Sequence, residues 1–254
     1  MEKINQLFSL KGLRIIVTGA SSGLGLNMAI MLAECGATVF GLSRSGATKD
    51  DHAKKYPDKL IFGKLDVTDE IQVQEKLNEI GVNGGIDVLV NNAGVNLRKK
   101  AEAINNDDWS GVLNVNLDGL MFCCRSAFPF LKQSKHIGRI INITSMAAHL
   151  GFSEILPYTA SKSAVLGITR GLAVEWAGDN ILVNSVSPGW FPSELNKKVI
   201  DREREEKILA RMPLHRFGNP DELSPLICFL ASPAATYITG QDFSVDGGAL
   251  AYGY

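Results

Sequence analysis

Seven short runs rich in β-branched residues recur along the chain: Ile15-Ile16-Val17, Thr38-Val39-Phe40, Leu60-Ile61-Phe62, Val88-Leu89-Val90, Ile140-Ile141-Asn142-Ile143, Ile181-Leu182-Val183 and Phe243-Ser244-Val245. They are near-continuously apolar rather than alternating, the mark of strands buried on both faces. Helical patterns fill the gaps at about 23–35, 69–80, 107–133, 158–177 and 221–231, and Asp201 to Lys207 reads as an exposed helical face. Strands alternating with helices in this way fold as a doubly wound α/β structure, a seven-stranded parallel sheet between two helical layers. The 254 residues contain no internal repeat, low-complexity segment or Pro/Gly-rich linker, so a single domain is expected.

Charge excludes two broad roles. The formal net charge is −1, whereas nucleic-acid or membrane-surface binding ordinarily needs a basic excess or patch. The run Arg98-Lys99-Lys100 is short enough to be a solvated loop. Residues Met1 to Ser9 lack an apolar stretch, and no apolar run reaches the ~18 residues of a membrane span. The expectation is a soluble, cytoplasmic protein. Cys35, Cys123, Cys124 and Cys228 show no metal-ligand spacing, so no metal is expected, and they read as buried or partly buried free thiols.

Directly after the first strand comes Thr18-Gly19-Ala20-Ser21-Ser22-Gly23-Leu24-Gly25, leading into the amphipathic run that starts at Leu26. Glycines permit a tight turn and close backbone approach to a pyrophosphate, and the helix N-terminus beyond them offers unpaired N–H groups and partial positive charge. An anion is expected there.

This T-G-x-x-x-G-x-G spacing is followed by Asn91-Asn92-Ala93-Gly94 after the fourth strand, Ser145 after the fifth, Tyr158-Thr-Ala-Ser-Lys162, and Pro188-Gly189 after the sixth. In these landmarks, from Thr18 to about Gly248, the chain resembles the short-chain dehydrogenase/reductase family. The resemblance implies a Rossmann-like fold, a dinucleotide cofactor and a four-residue active site. By it, Gly19, Ser21, Ser22, Gly23, Leu24 and Gly25 surround the cofactor phosphates. Asp66, with Val67 beside it, accepts a hydrogen bond from the adenine amino group, and Asn92, Ala93 and Gly94 hold the turn under the cofactor. Pro188, Gly189, Phe191 and Ser193 lie against the nicotinamide, the Ser193 hydroxyl facing the carboxamide. Read alone, Asp66 would be a turn or capping carboxylate and Asn92 a turn-stabilising amide.

The end of the second strand, Gly41-Leu42-Ser43-Arg44-Ser45, selects between cofactors. An acidic side chain there would hold the ribose hydroxyls of NAD, whereas arginine pairs with a 2′-phosphate. Ser43 occupies the acidic slot and Arg44 follows, so NADP(H) is expected as the preferred cofactor, with NAD(H) as the secondary one.

A secondary alcohol releases hydride only as its proton leaves, so the site needs a base at the hydroxyl and a donor for oxyanion character. Tyr158 and Lys162, four residues apart, share a helix face, and the lysine's charge favours phenolate near neutral pH. By resemblance, Lys162 also binds the nicotinamide ribose, Ser145 hydrogen-bonds the substrate oxygen, and Asn116 links Lys162 to solvent through water. The expected activity is hydride transfer between nicotinamide and a small-molecule carbonyl or alcohol. The segment Pro188 to Ser193, with Arg216-Phe217-Gly218 and Pro220, resembles reductases of 3-oxoacyl or related ketones. A sugar or polyol dehydrogenase is the alternative. A non-catalytic NADP-sensing regulator is a further one, against which the retained tyrosine and lysine speak. His149 follows Ser145 closely, but the G-x-S-x-G elbow of hydrolases is missing, so His149 is expected to border the substrate pocket or pack locally. The stretch near 190–215 is expected to form a substrate lid.

The two long helices carry Leu113, Leu117, Leu120, Phe122, Val165, Leu166, Ile168, Leu172 and Trp176. This is more apolar surface than one sheet face covers, so a homodimer through these helices is expected. By resemblance, a homotetramer is completed near the C-terminal segment.

Overall fold

The computed structural model describes residues 2–48, 55–191 and 202–252. Seven parallel strands form one sheet, in the order β3-β2-β1-β4-β5-β6-β7. They are β1 (Arg14–Thr18), β2 (Thr38–Ser43), β3 (Leu60–Lys64), β4 (Val88–Asn91), β5 (Gly138–Ile143), β6 (Ile181–Pro188) and β7 (Asp242–Val245). All seven apolar runs became strands. Those in the middle of the sheet are buried almost throughout, whereas β3 and β7, at the edges, are partly exposed.

Alternate residues of each strand feed two cores. Ile15, Val17, Val88, Val90, Ile141 and Val186 face one side, where α2 (Gly23–Glu34) and the helix Pro220–Ala231 supply Met28, Leu32, Leu223 and Ile227. Ile16, Leu89, Ile140 and Val183 face the other side, covered by α3 (Glu70–Val82), α5 (Gly119–Leu131) and α6 (Leu156–Glu175) through Val73, Leu77, Leu120, Val165 and Leu172. Chain order reverses between β1 and β4, and in such a sheet the crevice at the carboxyl ends of those strands is where ligands bind.

Two elements depart from the periodicity. Residues 107–133 are one helical pattern in sequence, but the chain forms α4 (Asn106–Leu113), a π-helical turn at Asn114–Asp118, and then α5. The widened turn places Asn116 against the strand-end loop, where its Oδ1 accepts from Val95 N at 2.8 Å and its Nδ2 donates to Val95 O at 3.0 Å. Single π-turns of this kind recur at functional sites. The N-terminal helix α1 (Glu2–Phe8) has no buried residue and had no signal in the apolar pattern; its Phe8 ring lies 6.1 Å from that of Phe229.

Leu120, Val165, Leu166, Leu172 and Trp176 are buried within the one chain, and Leu113, Leu117, Phe122 and Ile168 are half-buried, so the apolar surplus expected on these helices is smaller than the count suggested. What α6 does leave open is Val174, 82% exposed, in line with Gly167 and Gly171. All four cysteines are free thiols. Cys123 and Cys124 are buried, Cys228 is half-buried and Cys35 is exposed, a departure from the expected burial. No helix among the described residues is long and apolar enough to cross a membrane.

Candidate active site

The turn after β1 is stitched to the end of β4. Thr18 Oγ1 accepts from Asn92 N at 3.1 Å and Ala93 N at 3.0 Å, while Asn92 Nδ2 donates to Thr18 O at 3.0 Å and Gly19 O at 3.3 Å. Any side chain at Gly25 would collide with the Asn92 amide and the Gly19 carbonyl, which is why the first turn of α2 can press against this strand end. Gly23 has φ +57° and open space where a Cβ would stand. Ser22, at the N-cap of α2, makes no side-chain capping bond, so the first-turn N–H groups remain directed at the open side of the turn. Thr18 through Gly25 is therefore shaped as a cradle with donors and no bulk, a fit to a pyrophosphate.

Ser43 ends β2 buried, with Oγ 3.1 Å from Ser45 Oγ, and Arg44 beside it is exposed. Asp66 lies near enough for the Arg44 charge to act on it. Its Oδ1 accepts from Thr68 N at 3.0 Å and Thr68 Oγ1 at 2.8 Å, and chiefly the backbone bond holds its carboxyl below the ordinary carboxylate range. Val67 is buried under Gly119. Asp66 thus takes the local turn bonds that its residue type alone suggests, whereas the Asn92 amide bonds across to the turn after β1.

At the reacting end Tyr158 stands one turn into α6, whose start at Leu156 is favoured by Pro157 in the first turn. The Ser145 hydroxyl, just past β5, stands near enough to the Tyr158 phenol to favour its ionised form, while its own Oγ accepts from Ala147 N at 3.1 Å. Lys162, 5% exposed, lies one turn on, its Nζ 5.7 Å from the Tyr158 ring centre and donating to Ile143 O at 2.8 Å. The expectation of a phenol lowered by the lysine is not what this arrangement gives. Burial pushes the Tyr158 phenol above its ordinary value, opposed by the nearby Ser145 hydroxyl, and burial pushes Lys162 down to about 8. Desolvation disfavours both charged forms, and each group titrates toward neutrality.

Asn116, 1% exposed, donates to Ser161 Oγ at 3.0 Å, and Ser161 Oγ donates to Tyr158 O at 2.7 Å. A Cβ added to Gly94 would stand 3.3 Å from Asn116 Oδ1 and 3.6 Å from Lys162 Nζ, so Gly94, Asn116 and Lys162 close around one point. The structure brings Asn116, Ser145, Tyr158 and Lys162 together from three elements, the π-turn, the end of β5 and α6. Ser161 was missed in sequence; its only signal was its place directly before Lys162.

Pro188 and Gly189 end β6, where Gly189 N donates to Val245 O at 2.9 Å and a Cβ on Gly189 would stand 2.6 Å from Asp246 Cα. Phe191 is buried against Gly218 in the first core. Ser193 and the centre of the expected lid lie outside the described residues. A cavity of about 110 Å³ between Trp190, Phe191, Met212, Leu214 and Asp246 does not touch Ser145 or Tyr158 and is separate from the reacting groups. His149 packs locally, with Nε2 2.8 Å from Asp242 Oδ2.

Comparison with known proteins agrees with this geometry. Residues 19–249 match the family model described as Enoyl-(Acyl carrier protein) reductase. The chain is 38% identical over 253 residues to 2-dehydro-3-deoxy-D-gluconate 5-dehydrogenase of Bacillus subtilis (strain 168), covering 98% of this chain and 99% of that one. It is 37% identical over 245 residues to the 3-oxoacyl-(acyl-carrier-protein) reductase of Thermotoga maritima, covering 95% and 99%. Among solved structures, gluconate 5-dehydrogenase from Burkholderia cenocepacia J2315, in complex with NADP and tartrate, superposes with a TM-score of 0.89 at 34% identity, covering 98% of this chain and 99% of that one. With a family model spanning nearly the whole sequence, relatives matched over their full length, and the same parallel sheet, the chain belongs to the short-chain dehydrogenase/reductase family of NAD(P)-dependent oxidoreductases.

Proposed function

We propose that this chain interconverts a ketone and a secondary alcohol with NADP(H), using Tyr158 as proton donor in reduction and proton acceptor in oxidation. The observation that carries this is the buried Lys162 one helix turn from Tyr158, its Nζ 5.7 Å from the phenol ring, with the Ser145 hydroxyl nearby at the carboxyl ends of the central strands. The dinucleotide, when bound, supplies or takes the hydride. Gly19, Ser21, Ser22, Gly23, Leu24 and Gly25 hold its phosphates, with Ser43, Arg44, Asp66 and Val67 at the adenosine end. Asn92, Ala93, Gly94, Pro188 and Gly189 line the nicotinamide half. Lys162 holds the ribose and keeps a positive charge behind Tyr158, and Ser145 orients the substrate oxygen by donating to it. Asn116, fixed by Val95 and Ser161, holds the proton path behind Lys162 in place.

For the substrate, we read an acidic sugar-derived ketone ahead of a long 3-oxoacyl chain. Arg98 and Lys99 stand on the loop after β4, and each is already paired with a carboxylate, Arg98 with Glu154 and Lys99 with Asp108. The relatives named for gluconate and 2-dehydro-3-deoxy-D-gluconate support the same class. A panel of keto sugar acids, 3-oxoacyl thioesters and simple ketones, run with NADPH and NADH side by side, tests both points. Consumption of NADPH, fastest with a keto sugar acid, is expected. Silence across the panel with demonstrable cofactor binding would instead identify a sensor. In the same assay Arg44→Asp should move the NADPH-to-NADH preference toward NADH by roughly one to two powers of ten, the worth of a lost arginine–phosphate contact. Equal use of both cofactors by the unmutated protein refutes the role of Arg44.

The assembly belongs to this proposal: a homodimer across α5 and α6, or a homotetramer, in the cytoplasm. Val174 and the open backbone at Gly167 and Gly171 make a flat face on α6 suited to a second copy. Light scattering should give the mass of two or four chains, and a fully active monomer would remove the helix interface. The four free thiols suit a reducing compartment, and fractionation of expressing cells checks it.

A further inference from the structure

The segment that carries Ser145 is fastened by a carboxylate lying outside the four-residue constellation. Thr144, buried immediately before Ser145, donates to Val186 O through its backbone N at 2.8 Å and through Oγ1 at 2.9 Å, and its Oγ1 lies 3.3 Å from Asp242 Oδ1. His149 closes the short 3-10 turn Met146–Ala148 that follows Ser145, and its Nε2 reaches Asp242 Oδ2 at 2.8 Å. Asp242 also accepts from Ser185 Oγ at 2.6 Å and Ser187 Oγ at 2.8 Å. Ser187 Oγ stands 2.6 Å from Thr144 Oγ1 and 3.4 Å from His149 Nε2, and it directly precedes Pro188-Gly189. One carboxylate therefore grips the Ser145 segment at both of its ends.

The sheet does not need this arrangement. Register between β6 and β7 pairs Ser185 with Asp242 through the backbone alone. Aspartate is disfavoured in strands, and Ser185 and Ser187 are hydroxyls at fully buried positions where aliphatic side chains would pack more stably. A carboxylate mostly withdrawn from water is tolerable only when its oxygens are satisfied, and here Ser185, Ser187 and His149 reach it, with the Thr144 hydroxyl 3.3 Å away. Such a cluster is rigid, and its rigid output is the backbone between Thr144 and His149.

We propose that Asp242 and His149 are positioning residues for the reaction: together they clamp residues 144–149 and so set where the Ser145 hydroxyl meets the Tyr158 phenol and the substrate oxygen. The proposal rests on the reading of Ser145 and Tyr158 given above. Neither residue touches substrate. The imidazole, partly exposed, covers the carboxylate from solvent and closes the clamp at its outer end.

The test measures kcat and KM for the fastest ketone of the panel, together with NADPH affinity by fluorescence, on the full chain and three variants. Misplacing a reacting group by about an ångström costs about a hundredfold. Asp242→Asn is therefore expected to lose about ten- to a hundredfold in kcat with unchanged NADPH affinity. His149→Ala should lose about tenfold, and His149→Gln, whose amide keeps a donor near the place of Nε2, should recover most of that loss. Wild-type kcat in folded Asp242→Asn or in His149→Ala overturns the clamp, as does an equal loss in the Ala and Gln variants. If Asp242→Asn does not fold, the His149 pair decides alone. Failure of the parent reading looks different: there Tyr158→Phe would turn over like the wild type, whereas failure of the clamp leaves Tyr158→Phe inactive and the clamp variants fully active.

Discussion

Tyr158→Phe is expected to lower turnover by about 10²- to 10⁴-fold, the range of a lost general acid or base, while leaving NADPH affinity unchanged. The substitution removes one hydroxyl and preserves the ring that packs in α6, so cofactor and substrate still find their surfaces. The pH dependence follows from the direction of the titration. Burial holds the phenol above its ordinary value, so it stays protonated through the neutral range and serves as the acid in reduction. Reduction should run nearly independently of pH until the phenol ionises and then fall. Oxidation, which needs the phenolate, should rise over the same interval. Positive charge at Lys162 would bring that interval down. Steady-state rates in both directions across pH, on wild type and variant, check this. Turnover like the wild type in Tyr158→Phe would sink the assignment.

Lys162→Met should abolish useful turnover and at the same time stabilise the fold at neutral pH. The ammonium is buried and held near 8 against an ordinary 10.5, so protonated Lys162 costs the folded chain roughly 3 kcal/mol. Because the folded value lies below the unfolded one, the unfolded chain binds the extra proton. The cost is full below about 8 and fades as the pH climbs toward 10.5. Methionine fills the same space without the charge but leaves Ile143 O without its donor, which returns about 1–3 kcal/mol. The net expectation is a rise in Tm of a few degrees at pH about 7, at about 2–4 °C per kcal/mol, shrinking by pH about 10. NADPH affinity should fall together with kcat, since the ribose contact and the charge behind Tyr158 are lost in one change. Thermal melts at the two pH values, with the affinity measurement, test it. A variant that is catalytically intact, or one that is equally destabilised at both pH values, contradicts the account of Lys162.

Much of the architecture was legible because its determinants are local. Each β-branched run became a strand, and near-continuous apolarity reported burial on both faces before any neighbour was known. The glycine turn likewise carries its shape in its own composition: Gly23 sits where φ is positive, and Gly25 where no side chain fits. The helix over 107–133 was legible as helical but not as interrupted. The π-turn at Asn116 depends on bonds to Val95, twenty-one residues away in sequence, which no periodicity encodes.

The site divides in the same way. Spacing along one helix put Tyr158 and Lys162 on a common face, and residue type alone named them as an acid and a cation. Their protonation could not be read from spacing, because desolvation depends on everything packed around them, and it reversed the expected shift of the phenol. Asp242 was invisible as anything but a lone acid opening a strand. Its meaning comes from Thr144, His149, Ser185 and Ser187, which reach it from two separate chain segments. By itself, then, the sequence determined the strands, the glycine turn and the residue types proposed to react, since these follow from short-range sterics and side-chain chemistry. The tertiary structure alone decided which charges are desolvated and which residues hold Ser145 in place, because burial and hydrogen-bond partners are properties of neighbours in space.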